Sequence, residues 1–121
     1  MKAPGPDHPI TIASHAGRVV VRVEGRVVAD TRAALRLAEA SYPVVLYIPR
    51  ADAVMPLFIP SDHHTYCPYK GNCSYFSIPS GGERGRNVAW SYEAPYPAVA
   101  AIKEYLAFFP NRAQIELEQA A

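Results

Sequence analysis

One stretch constrains the fold more than any other. In residues 18–24, Val19, Val21 and Val23 fall on one side while Val20, Arg22 and Glu24 fall on the other. Extended backbone sends alternate side chains to opposite faces, so this stretch reads as a strand with one buried face. Glu24-Gly25 follows. Glycine supplies the positive φ of a tight hairpin, so residues 26–29 return as the partner strand.

The rest of the chain repeats the theme in shorter pieces. Residues 31–39 carry both helix-forming and alternating signals, and one helical turn or a bend running into a strand is the expected compromise. Residues 44–48 are a β-branched run ended by Pro49. Residues 55–60 hold two prolines around Leu57, Phe58 and Ile59, which predicts an extended edge segment and not a helix. A polar, aromatic loop is expected after Ser61, with a strand over 73–78. A Gly-rich turn over 80–87 leads to a strand over 88–92. Pro97 can open a helix, and Val99, Ile102, Leu106 and Phe109 share one face at helical spacing. A helix over 97–109 and a short last strand at Ile115 and Leu117 complete the pattern. The expected class is α+β, mainly antiparallel β, as a small curved sheet or barrel or two packed sheets.

The chain has 121 residues, half of them hydrophobic, which suits one domain with one core. Residues 1–9, with three prolines, read as a flexible arm, and residues 10–119 as a single domain. Twelve Lys and Arg against eleven Asp and Glu leave a charge of +1, which argues against nucleic-acid or acidic-membrane binding. No apolar run suits a signal peptide or a membrane span, and two cysteines are too few for a disulfide scaffold. The expectation is a cytoplasmic protein with reduced thiols. Exposed Tyr, Phe and Val on a sheet face leave room for a homodimer.

Reactive side chains concentrate in residues 62–75: Asp62, His63, His64, Thr65, Tyr66, Cys67, Tyr69, Lys70, Cys73 and Tyr75. The string Ser61-Asp62-His63-His64-Thr65-Tyr66-Cys67-Pro68-Tyr69-Lys70-Gly71, followed by Ser74-Tyr75-Phe76, resembles the signature of the family catalogued as domain of unknown function 427. So do Ala89-Trp90-Ser91-Tyr92-Glu93-Ala94-Pro95, Tyr105-Leu106-Ala107-Phe108-Phe109, Tyr47-Ile48-Pro49-Arg50-Ala51-Asp52-Ala53, and Glu39. The resemblance runs from about Pro9 to Leu117. It implies a small, β-rich, single-domain bacterial and fungal protein, sometimes labelled nucleotidyltransferase-like. It implies no activity residue by residue. The chain carries neither a Gly-rich phosphate loop opening a helix nor an Asp-x-Asp pair for magnesium. Cys73 stands where the family pattern generally has Ala, which argues against a family function needing both cysteines.

Several chemistries compete for this segment. Cys67 is a candidate catalytic thiol, with Lys70 or a protonated His64 as the cation that favours a thiolate; against this, most free cysteines simply pack as small hydrophobes. Zinc would need four ligands, and His64, Cys67 and Cys73 give three at best, so neither a metal nor a cofactor is expected. A Cys67–Cys73 disulfide would close a short loop and stabilise by about 2–3 kcal/mol. The remaining chemical reading is a pocket for a small anionic or nucleotide-like ligand, lined by Asp62, His64, Thr65, Cys67, Lys70, Tyr75, Trp90 and Tyr92. Its plain competitor is that these rings form the core edge of a small β domain. Glu39 is expected to be buried against an Arg or a Tyr hydroxyl, because a buried carboxylate needs partners.

Overall fold

The structure, a computed structural model, describes residues 1–118, so the expected domain end at residue 119 lies outside the described residues. Ten strands follow in chain order: β1 (Ile10–Ser14), β2 (Arg18–Val23), β3 (Arg26–Thr31), β4 (Leu35–Glu39), β5 (Val45–Tyr47), β6 (Ile59–Cys67), β7 (Gly71–Ser77), β8 (Ala89–Ser91), β9 (Ala107–Phe108) and β10 (Gln114–Glu118). Among the described residues there is one short α-helix, α1, at Gly82–Gly85.

The strands form three antiparallel sheets, ordered β1-β4-β5, β10-β2-β3 and β6-β7-β8-β9. The α+β, mainly antiparallel class read from the sequence is the observed one, divided among three open sheets. Between β2 and β3, Glu24 and Gly25 both adopt positive φ, 48° and 79°. A tight turn with both central residues at positive φ matches the twist of the flanking strands, which accounts for the hairpin.

The four-stranded sheet is central. Along β7, β8 and β9, Phe76, Ala89 and Phe108 point to one side and join Val19, Val21, Val28, Ile78 and Val88 in a core shared with β2 and β3. Cys73, Tyr75, Trp90 and Ala107 point to the other side. There they pack with Leu37, Tyr47, Tyr92, Val99 and Ile102, a core shared with β4 and β5. Period-2 alternation in a sheet covered on both faces therefore builds two cores from one set of strands.

Three expectations require correction. The loop expected after Ser61 is strand β6, extended to Cys67 and paired to β7 by His64–Ser74, Thr65–Cys73 and Cys67–Gly71. It lies at the edge of its sheet and is exposed along most of its length, so no hydrophobic alternation announces it. The extended segment over 55–60 opens with a single 3-10 turn, Met55–Leu57, with proline inside its first turn. The helix expected over 97–109 is a 3-10 segment, Pro97–Ile102, followed by a turn and strand β9. Glu104 takes φ 65° there and donates its N–H to Tyr92, which ends helical progression. Val99, Ile102 and Leu106 are buried as the spacing required, but a tighter turn and an extended segment bury them.

Candidate functional site

The first polar feature is the last residue of β4. Glu39 sits opposite Ile10 of β1, and its carboxylate accepts hydrogen bonds from Lys70 Nζ and, at 2.8 Å, from His8 Nε2. Lys70 lies in the turn between β6 and β7. Its carbonyl accepts the Tyr96 N–H at 3.1 Å, which ties that turn to the segment after β8. The Lys70 and Glu39 side chains are only 10% and 14% exposed. Burial pushes the Glu39 carboxyl upward, but hydrogen bonds from Lys70 and His8 outweigh it and hold it below its usual range. The pair is thus ionised and mutually neutralised. His8 also stacks face to face on Tyr69, with ring centroids 3.9 Å apart.

Beside this pair the second core leaves a cavity of about 250 Å³. Tyr75 of β7 and Trp90 of β8 are cross-strand partners on one face of the sheet and line it together with Tyr92 and Phe109. Their rings are ordered by one another: Trp90 and Phe109 centroids are 4.5 Å apart, and Tyr75 lies parallel to Phe109 at 6.2 Å. Leu37, Val45 and Tyr47 close the side formed by β4 and β5, and Tyr42 and Pro43 stand at the rim. The Trp90 indole N–H donates to Tyr47 Oη at 3.4 Å. Burial raises the phenols of Tyr47 and Tyr92 well above their ordinary value, so both remain neutral donors at physiological pH.

Of the eight residues singled out from the sequence, Lys70, Tyr75, Trp90 and Tyr92 line this one cavity. Thr65 touches it indirectly, through a 2.9 Å hydrogen bond to Tyr75 Oη. Cys67 packs into the same core without lining the cavity. Asp62 and His64 are exposed on β6 and do not line it. Cys73 lines it, but burial raises its thiol, with the hydroxyls of Thr65, Tyr75 and Tyr92 only partly offsetting that. A thiol kept protonated is a poor nucleophile. Both cysteines are free. Among the described residues, no three His, Cys, Asp or Glu side chains converge as a metal site.

Sequence reading missed Leu37, Tyr42, Pro43, Val45 and Phe109 as lining residues, because strands far apart in the chain bring them there. Glu39 was expected to be buried against an Arg or a Tyr hydroxyl; its partners are Lys70 and His8. On the opposite face of the central sheet, Arg50 makes a forked contact to Glu93, at 2.8 and 3.2 Å, and donates to Ser91 Oγ at 3.0 Å. That cluster clamps the end of β8 and lies outside the cavity.

A family model described as a domain of unknown function (DUF427) matches residues 11–119. No curated protein matches the chain. No helix among the described residues is long and apolar enough to cross a membrane.

Proposed function

This chain belongs to the family described as domain of unknown function 427, and we propose that it is a binding module whose cavity takes the ring of a small ligand. The observation carrying this reading is the wall formed by Tyr75, Trp90, Tyr92 and Phe109, with the Glu39–Lys70 pair at its polar end. Flat apolar faces with a few convergent polar groups are what a ring-bearing ligand needs for affinity and orientation. A volume of about 250 Å³ suits one or two fused rings, nucleobase-like in size, with any larger substituent outside.

Lys70 was the expected anion-binding group. Its charge is already committed to Glu39, so the polar end offers a donor and an acceptor side by side. The reading therefore favours a neutral ring with its own donor and acceptor groups over a phosphate. Catalysis by Cys67 or Lys70 is not part of it, since Cys67 does not line the cavity and Lys70 is ion-paired.

A thermal-shift screen tests this with adenine, indole, nicotinamide and methyl 4-hydroxybenzoate on one side, and phosphate and ATP on the other. A ring compound should raise the melting temperature of wild type, and raise it less in Phe109→Leu. At a hundred times its dissociation constant such a ligand adds about 2.7 kcal/mol. Stabilisation by phosphate and ATP alone would contradict the neutral-ring reading.

A further inference from the structure

The cavity does not end at its rim. A second, larger concavity of about 640 Å³ shares Glu39, Tyr42, Pro43, Val45 and Trp90 with it, so the two adjoin at these residues. Beyond the shared rim its walls are Val44 and Leu46 at β5, Phe108 of β9, and Ile115 and Leu117 of β10. Strands β5, β9 and β10 are each the edge of a different sheet, so the groove runs where three sheet edges meet. Val44 and Leu117 are 44% and 57% exposed, an apolar surface open to solvent.

Polarity across the two adjoining concavities is one-sided. Among the described residues, Glu39 is the only charged one lining the groove, and it sits at the end shared with the cavity, with Lys70 and His8 already on it. From Trp90 to Leu117 the walls are apolar. An occupant that matches this surface must be polar at one end and hydrocarbon over the rest. A phosphorylated tail would lay charge along apolar walls with no cation to receive it, at high desolvation cost.

Resting on the ring-binding reading above, we propose that the ligand is a ring-headed amphiphile, its polar ring in the cavity and an apolar chain along the β5–β10 groove. The chain is bound by burial of methylenes against Val44, Leu46, Phe108, Ile115 and Leu117. Affinity should then grow with chain length at a rate set by hydrocarbon transfer.

Isothermal titration calorimetry with 4-hydroxybenzoate esters, from methyl to octyl, below their aggregation limits, tests this. Transfer of one methylene contributes about 0.8 kcal/mol, so affinity should rise about 3- to 4-fold per carbon until the groove is filled. Val44→Glu, just before β5, and Leu117→Glu, in β10, place a charge in the groove from two different segments at exposed positions. Each should flatten the chain-length series while leaving methyl ester affinity within about 2-fold of wild type. Two variants keep the test decisive if one fails to fold.

Equal affinity for methyl and octyl esters would overturn the chain inference and leave the ring reading standing. Octanol binding as tightly as the octyl ester would show a groove that needs no ring, and would overturn the ring reading instead. Absence of binding across the whole series would overturn both.

Discussion

Lys70 donates a hydrogen bond to the carboxylate of Glu39, joining the β6–β7 turn to the end of β4 across 31 residues of chain. Both side chains are nearly buried, and His8 completes the acceptor's shell from the N-terminal segment. The contact holds two sheets in register at the polar end of the cavity. Removing one partner strands the other charge in a poorly hydrated site. Lys70→Met should therefore destabilise the fold by about 3 kcal/mol, and Glu39→Gln by a similar amount. The double variant should lose much less than the sum, as read by urea unfolding in a double-mutant cycle.

The same pair sets the acid limit. Glu39 ionises more readily in the folded chain than its ordinary value of 4.5, so the unfolded state binds the extra proton first. Its contribution is present in full above that value and is lost as pH falls through the lower folded one. Melting temperature should fall below about pH 4.5, and the fall should be shallower in Glu39→Gln, where this titration is gone. An identical acid limb in both proteins would remove Glu39 from the explanation.

The two cysteines should behave differently. Cys73 is 2% exposed with its thiol raised by burial, whereas Cys67 is half-buried at the end of β6. A disulfide-exchange reagent at pH 7.5 should modify Cys67 in the native protein and reach Cys73 only on unfolding. Peptide mapping of the labelled chain identifies the site. Modification of Cys73 at the rate of a free peptide thiol would mean that the cavity wall opens readily.

Gly85 leaves no room for a side chain. A Cβ there would stand 2.0 Å from the Ile78 carbonyl oxygen, and the Ile78 N–H donates to Gly85 at 2.8 Å. Gly85→Ala must push backbone from backbone, and should cost about 3 kcal/mol or more. Gly82→Ala, where φ is 57° and ψ −136° but nothing lies within 4 Å, should cost about 2 kcal/mol from backbone strain alone. Chemical denaturation of the two variants separates crowding from backbone strain.

The legible parts of this fold are those where one physical signal acts alone. Val19, Val21 and Val23 alternate on the face of β2 that enters the first core, although Val20 on the other face is buried too, and Gly25 closes the hairpin because its φ is positive. Residues 97–109 were misread because spacings of three and four fit a 3-10 turn followed by a strand as well as a helix, and periodicity does not separate them. Strand β6 was invisible for the opposite reason: His63, His64, Thr65 and Tyr66 are all exposed, so neither face leaves a hydrophobic trace.

For the site, local sequence carried half the content. Lys70, Tyr75, Trp90 and Tyr92 come from one aromatic-rich third of the chain and do meet. Asp62 and His64 share that segment but stand on the exposed edge strand. Proximity in sequence placed them with the others; the pairing of β6 with β7 did not. Glu39 and Tyr42 come from the other side of the cavity and Phe109 joins the aromatic wall from just after β9, and only sheet topology brings them there.

The most direct measurement is the indole N–H resonance of Trp90 in a nitrogen-15 labelled sample, titrated with methyl 4-hydroxybenzoate. The chain has a single tryptophan, so this one cross-peak reports the cavity without ambiguity. The expected result is a saturable shift of that peak, weakened in Phe109→Leu. A peak that stays fixed while exposed resonances on β6 move would place binding elsewhere and contradict a ring site between Trp90, Phe109 and the Glu39–Lys70 pair.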